Sequence, residues 1–380
     1  MKHPVSGLVL APLAALLLSP LAAVAASAVE MVDPARYQVS EIATGLDHPW
    51  SLAFLPDGSI LVTERNGGLR VIRDGALLPD RVANVPDTYV SGQGGLLDVV
   101  LHPDFAANQT IYLTYSAGDG NASAITVARA RYDAAGNALA DVTVIFSAFP
   151  TKDTPQHYGG RMAFLPDGTF VLTLGDGFNF REQAQMLDSD LGKFVRLNAD
   201  GSIPADNPFV SRTGARPEIF TYGHRNPQAI VFNPFDGRIY AHEHGPQGGD
   251  EINVIDGGRN YGWPAITYGL DYSGAIITPY TELPGMEQPI HYWTPSIAPA
   301  GMSVYTGDLF PGWKGDLIVA ALVSTDLRRM DLEGGKVVGE QSLLAERGER
   351  LRDVRMAPDG ALYVLTDEDD GKVLRVVPAE

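Results

Sequence analysis

The chain has 380 residues, with 28 Lys and Arg against 46 Asp and Glu, for a formal net charge of −18. That balance argues against nucleic acid and anionic membrane as partners. There is no cysteine, which excludes disulfides, thiolate metal sites, Cys nucleophiles and lipid attachment through an N-terminal Cys.

Residues 1–28 read as a signal peptide. Lys2 and His3 precede an Ala/Leu/Val run from Val5 to Val24, and Ala26-Ser27-Ala28 offers small residues for cleavage. Pro12 and Pro20 interrupt the run and argue against a membrane anchor. A periplasmic or secreted protein is expected, with residues 29–380 as a single domain. The 41 glycines and 27 prolines of the whole chain favour many turns and an all-β fold.

Along the chain one pattern recurs: an apolar strand, a Pro-Asp-Gly-like turn, a second apolar strand. Copies lie at 50–64, 95–115, 162–174, 229–243, 301–320 and 354–367. Their turn prolines, at 56, 103, 166, 234, 311 and 358, are spaced by 47 to 77 residues. A four-stranded propeller blade takes about 40–50 residues, and the longer gaps leave room for loops. The spacing predicts a six-bladed β-propeller of four-stranded antiparallel blades. It also predicts that the strand beginning at Tyr37 closes the ring against the last blade. No linker-like composition shift supports the alternative of two β-sandwich domains. Residues 181–187 suggest a short helix in an insertion of the third blade that runs to about Arg216.

The repeat makes a positional argument. His157 lies nine residues before Pro166 and Asp176 ten after it, so an antiparallel hairpin returns both to one rim. At the same phase in other copies stand His48, Trp50, Gln93, Arg225, Asn226, Arg350 and Arg352 before the proline. Glu64, His242, Glu243, His244 and Asp367 stand after it. Any one of these residues alone reads as a hydrogen-bonding partner at a strand end. Convergence from several blades makes a site, and a histidine anchored by a carboxylate is a general base. The acidic run 367–370 reads as a solvated loop. There is no Gly-x-Ser-x-Gly elbow, no His-Glu-x-x-His and no nucleotide-binding glycine loop. Arginines facing the channel suit an anionic cofactor.

Residues 223–228 (Gly-His-Arg-Asn-Pro-Gln), 156–161 and 245–253 resemble the soluble pyrroloquinoline-quinone (PQQ) dependent aldose sugar dehydrogenases. These belong to the glucose/sorbosone dehydrogenase family of six-bladed propellers. The resemblance extends through 92–97, 260–264 and 350–354 and covers about 37–378. It implies that His157 takes the proton of the sugar's anomeric hydroxyl while hydride passes to PQQ, giving a lactone. An external electron acceptor, unidentified by the sequence, then reoxidises the cofactor. Asp176 would orient His157. Arg225 and Asn226 would contact PQQ, with Arg225 also counted among the catalytic residues. Arg350 and Arg352 would hold its carboxylates, and Gln93 would stand at the mouth. Backbone carbonyls of Gly245 and Pro246 would bind an activating Ca2+, with Asp250 bracing that loop. Residues 261–264, which include Trp263, are expected as a packed loop and not a contact surface.

One departure stands out. Val323 falls where better-known glucose dehydrogenases of the family place a lysine on PQQ, and Lys314 lies elsewhere. Two other functions stay open: a calcium-dependent propeller lactonase with ligands among Glu64, Asn226, Asp176 and Glu243, and a non-catalytic binding module. Three arginines at the same rim weigh against the first, and the presence of His157 against the second.

Overall fold

The computed structural model describes Met1 and residues 29–379. The proposed signal peptide lies outside the described residues. Six sheets of antiparallel strands form six blades, and their innermost strands pack side by side in a ring. Those strands are Pro49–Phe54, Leu96–Leu101, Gly159–Phe164, Pro227–Asn233, Pro299–Val304 and Leu351–Met356. The ring closes as expected, because Tyr37–Leu46 pairs antiparallel with Gly371–Pro378 in the sixth blade. The fifth blade gains an additional parallel partner, Glu30–Met31, on its outer strand Lys336–Leu343.

The Asp-Gly turns explain why the hairpins recur. Asp57, Asp167 and Asp359 each accept the backbone N–H two residues on, at 2.9, 2.9 and 3.1 Å. The glycines between, Gly58, Gly168 and Gly360, sit at φ of +86°, +84° and +86°, a conformation that costs other residues energy. Apolar layers fill the gaps between blades. Leu61, Leu69 and Val71 of the first meet Leu113, Ala128 and Leu139 of the second, all buried. Each buried Leu or Val there contributes about 1.5–3 kcal/mol through burial.

All six inner hairpins carry a register shift near the start of the inner strand: at Pro49/Ser51, Leu96/Val99, Gly159/Met162, Pro227/Ala229, Pro299/Met302 and Leu351/Asp353. Bulges re-aim side chains, and these lie at the rim opposite the Asp-Gly turns. Just beneath them the channel is blocked by a buried network. The Arg161 guanidinium lies 3.8 Å over the Trp50 ring and 3.2 Å from Asp353. Arg355 bridges Asp98 at 3.0 Å and Asp353 at 2.9 Å.

In the third blade, the segment 181–216 holds the strand that the sequence places at 193–197: Lys193–Asn198 pairs antiparallel with Thr169–Leu174 as the blade's third strand. The helical piece is a short 3-10 turn, Arg181–Gln185.

Candidate active site

His157 and Asp176 meet as the hairpin required. Gly175 allows the close approach, since a Cβ there would lie 2.2 Å from the His157 carbonyl oxygen. Nδ1 of His157 donates to Asp176 Oδ1 at 2.7 Å, a carboxylate being an acceptor only. Among the described residues Nε2 has no hydrogen-bond partner, and the residue lines a cavity of about 430 Å3. Gln93 fixes the other side of the residue by accepting the His157 backbone N–H at 2.7 Å. Burial pushes the His157 pKa below the ordinary histidine value, and the nearby charges of Arg225 and Lys152 add to this. The hydrogen bond and charge of Asp176 oppose it. The ring is therefore neutral near neutral pH, as a base must be.

Asp176 is fully buried and accepts two further hydrogen bonds, from the Phe178 backbone N–H and from Trp263 Nε1, each at 2.7 Å. This corrects the expectation for residues 261–264. Trp263 is packed, but its indole N–H touches the carboxylate and its ring lies 5.4 Å from the Arg225 guanidinium. Nothing in the local sequence marks Trp263 for this role, because the partner is 87 residues away.

Arg225 and Asn226 lead into the fourth blade. Glu243 holds the approach: it accepts His224 Nδ1 at 2.8 Å and the Arg225 backbone N–H. His224 is clamped between Phe194 and Tyr261, at centroid distances of 4.0 and 4.7 Å. The Arg225 guanidinium donates to the carbonyls of His244 at 3.0 Å and Gly245 at 2.6 Å. Asn226 accepts from Gln228 at 3.0 Å. Asp250 braces the 245 loop, as expected. One oxygen takes the Gly245 N–H at 2.9 Å and the other takes Ser296, Ile297 and Ala298.

A second cavity, of about 320 Å3, is lined by Asn226, the chain neighbour of Arg225, which lines the first. Its other walls include Trp50, Gln93, Arg65, Arg350, Arg352 and Asp367. The acidic run is thus more than a solvated loop. Asp367 pairs with Arg352 at 2.8 Å and Arg350 at 3.3 Å. Burial raises its pKa, but Arg352, Arg350 and His48 outweigh this and hold it at about 2. Arg352 Nε is buried and has no hydrogen-bond partner among the described residues. Arg65 is a cavity cation that the sequence reading did not select. Val323 is exposed, and Lys314 pairs with Asp308 at 2.6 Å.

The remaining rim residues divide. His244 lines the second cavity and donates from Nε2 to the Pro299 carbonyl at 2.7 Å. His242 lies buried below, and among the described residues neither ring nitrogen has a hydrogen-bond partner. Glu64 is committed to Arg70 and Arg81, at 3.0 Å each. The four ligands considered for a lactonase metal thus belong to separate networks: Glu64 to arginines, Glu243 to His224, Asp176 to His157 and Trp263, and Asn226 to Gln228.

The rim of this propeller thus carries a carboxylate-anchored histidine and an arginine-walled cavity. The chain belongs to the Glucose / Sorbosone dehydrogenase family, whose model matches residues 46–375. It is 45% identical over 349 residues to the aldose sugar dehydrogenase YliI of Escherichia coli, covering 91% of this chain and 94% of the relative. The crystal structure of the soluble aldose sugar dehydrogenase of E. coli in its apo form superposes with a TM-score of 0.87 at 44% identity. That match covers 90% of this chain and 99% of the other. The PQQ-bound aldose sugar dehydrogenase of Streptomyces coelicolor gives a TM-score of 0.73 at 29% identity, covering 91% and 100%.

Proposed function

We propose that the protein oxidises the anomeric hydroxyl of aldose sugars to the lactone, with PQQ as its cofactor. The observation that carries this reading is the His157–Asp176 dyad, with Nε2 open to a cavity and the arginine-walled cavity next to it. The second cavity falls within the ~300–1,000 Å3 range of ligand sites. Its cations and the orphaned Nε of Arg352 suit a ligand bearing several carboxylates. Arg65, Arg350 and Arg352 would hold those carboxylates, with Gln93 and Asn226 at the edges. PQQ, when bound, supplies a carbon that accepts hydride from the sugar's C1.

The chain's own residues do the rest. His157 Nε2 receives the hydroxyl proton. Asp176 fixes the tautomer and stabilises the imidazolium that results. Arg225 sets a positive charge beside the reacting atoms. The carbonyls of His244 and Gly245 already converge on one cation, the Arg225 guanidinium. This donor chemistry suits a hard cation. We include Ca2+ at the Gly245 and Pro246 carbonyls in the proposal, with the guanidinium moving off Gly245 to admit it. Residues 1–28 direct the chain to the periplasm or out of the cell. Among the described residues no helix is long and apolar enough to cross a membrane.

The test supplies PQQ and calcium to the purified protein, offers a panel of aldoses and follows reduction of an artificial electron acceptor. Sugar-dependent reduction is expected, and it should vanish in His157→Ala while PQQ binding persists. Failure to bind PQQ, with metal-dependent lactone hydrolysis instead, would overturn the reading.

A further inference from the structure

Lys152 is a buried cation that the chemistry above does not use. It is 4% exposed, and its ammonium donates to two carbonyls, Thr154 at 2.6 Å and Gln156 at 2.7 Å. Nζ also stands 3.3 Å from the centroid of the Tyr158 ring, a cation–π contact. Among the described residues it forms no ion pair with a carboxylate. Taking an ammonium out of water without a counter-ion is costly, and an apolar side chain of the same length would fill the space without that cost.

What the cation holds is the base. The Gln156 carbonyl belongs to the same peptide unit as the His157 N–H, and that N–H donates to Gln93 at 2.7 Å. One peptide is thus gripped on both sides, by Lys152 at its oxygen and by Gln93 at its hydrogen. His157 sits at φ +50°, a left-handed conformation that a non-glycine residue keeps only where its surroundings impose it. The same loop reaches the other half of the dyad. Thr154 Oγ1 donates to the carbonyl of Gly177, next to Asp176, at 2.5 Å, and a Cβ on Gly177 would lie 2.8 Å from Lys152 Cδ. The root of the lysine is fixed as well, because its backbone exchanges hydrogen bonds with Ser123 of the second blade at 2.9 and 2.8 Å.

We infer that Lys152 is a positioning residue for His157, holding the peptide that carries the base so that its ring stays on Asp176. This rests on the sugar oxidation proposed above. Lys152 also acts through its charge. The titratable and charged groups that face His157 are Asp176 of its own hairpin, Lys152, and Arg225 and His244 from the fourth blade. Tyr272 Oη lies 3.4 Å from Arg225 Nη2, and burial holds the His244 pKa at about 4. Burial draws the Lys152 pKa down to about 7, against Asp176 and Asp153. The ammonium is therefore charged at the lower pH where His157 titrates, and it disfavours the imidazolium there.

The experiment compares wild type with Lys152→Met in two ways. Without cofactor or turnover, NMR follows the His157 Nδ1–H proton, which reports the bond to Asp176, and the titration of the ring. In the PQQ-loaded proteins, kcat and KM for an aldose are measured across pH. In Lys152→Met the Nδ1–H signal should shift or broaden away, and the His157 pKa should rise by about one unit. At the same time kcat should fall about tenfold with KM held within about twofold. Should Lys152→Met not fold, Lys152→Gln, which keeps a donor and loses the charge, is read by the same measures. A folded variant with an unchanged Nδ1–H signal and an unchanged ring titration overturns the proposal, whatever its activity. If the wild type oxidises no aldose, the function proposed above fails and the NMR readings alone decide: a shifted signal and titration uphold Lys152, unchanged ones remove it.

Discussion

Trp263 Nε1 donates to Asp176 Oδ2 at 2.7 Å, on the carboxylate whose other oxygen holds His157. A residue from a long loop of the fourth blade thereby helps to fix the carboxylate that anchors His157 in the third. Trp263→Phe keeps the packing and removes the donor. A hydrogen bond to a charged group contributes about 1.5–3 kcal/mol, so kcat is expected to fall roughly tenfold or more. The carboxylate left with fewer donors becomes a stronger partner for imidazolium, so the acid limb of the pH profile should move upward. An unaltered limb would confine Trp263 to packing.

The pH dependence has a definite sign. His157 must be neutral to accept a proton, and its pKa lies below the ordinary histidine value. Activity measured as kcat/KM should therefore persist through pH 6.5 and fail at lower pH. Burial also holds the pKa of His242 well below the usual value. The unfolded chain takes up these protons at about pH 6.5 and the folded protein does not. Stability from both groups is thus present above that pH and is lost as pH falls. Thermal melts from pH 8 to 5 should show Tm declining below about pH 6.5, and His242→Gln should flatten that decline.

Arg65 is placed to serve where Val323 cannot. Its guanidinium stands in the second cavity and donates to the Gly92 carbonyl. Arg65→Gln should weaken PQQ binding about tenfold, in line with ~1.5–3 kcal/mol for a charged hydrogen bond, followed by cofactor absorbance on titration. Val323→Lys should strengthen it. Equal binding in all three proteins would remove Arg65 from the cofactor site.

At the proposed calcium site, Arg225 and the ion would share one oxygen. The Gly245 carbonyl accepts from Arg225 at 2.6 Å, and unit charges ~4 Å apart at an effective dielectric near ~20 repel by ~4 kcal/mol. Arg225→Gln should therefore bind calcium more tightly than wild type in the absence of PQQ, by more than about an order of magnitude. Calorimetry on the apo-protein reads this without turnover. Weaker calcium binding in the variant would show that the arginine supports the loop and does not rival the metal.

The dyad was legible because a Pro-Asp-Gly turn fixes the phase of its hairpin. Once Pro166 is placed, His157 and Asp176 have one geometry. The same logic brought Gln93, Arg225, Asn226, Arg350 and Arg352 to the rim. Residues that reach the site from long loops escaped it. Trp263, Phe178 and Tyr272 lie off the repeat, and no spacing rule places them. Asp367 was counted at the rim, but the run it begins read as solvated; only its contact with two arginines reveals a half-buried counter-ion. The six rim bulges are likewise silent in the sequence, since an extra residue in a strand looks like any other.

The sixth blade is stitched from both ends of the described chain: Tyr37–Leu46 lies against Gly371–Pro378, with Leu351–Met356 innermost. Arg350, Arg352 and Asp367 all belong to this blade or its loops. In synthesis the early strand waits more than three hundred residues for its neighbour. The blade that carries Arg350 and Arg352 is therefore complete only with the final strand, and a chain stopped short of Gly371 is expected to lose the cofactor binding proposed for that wall.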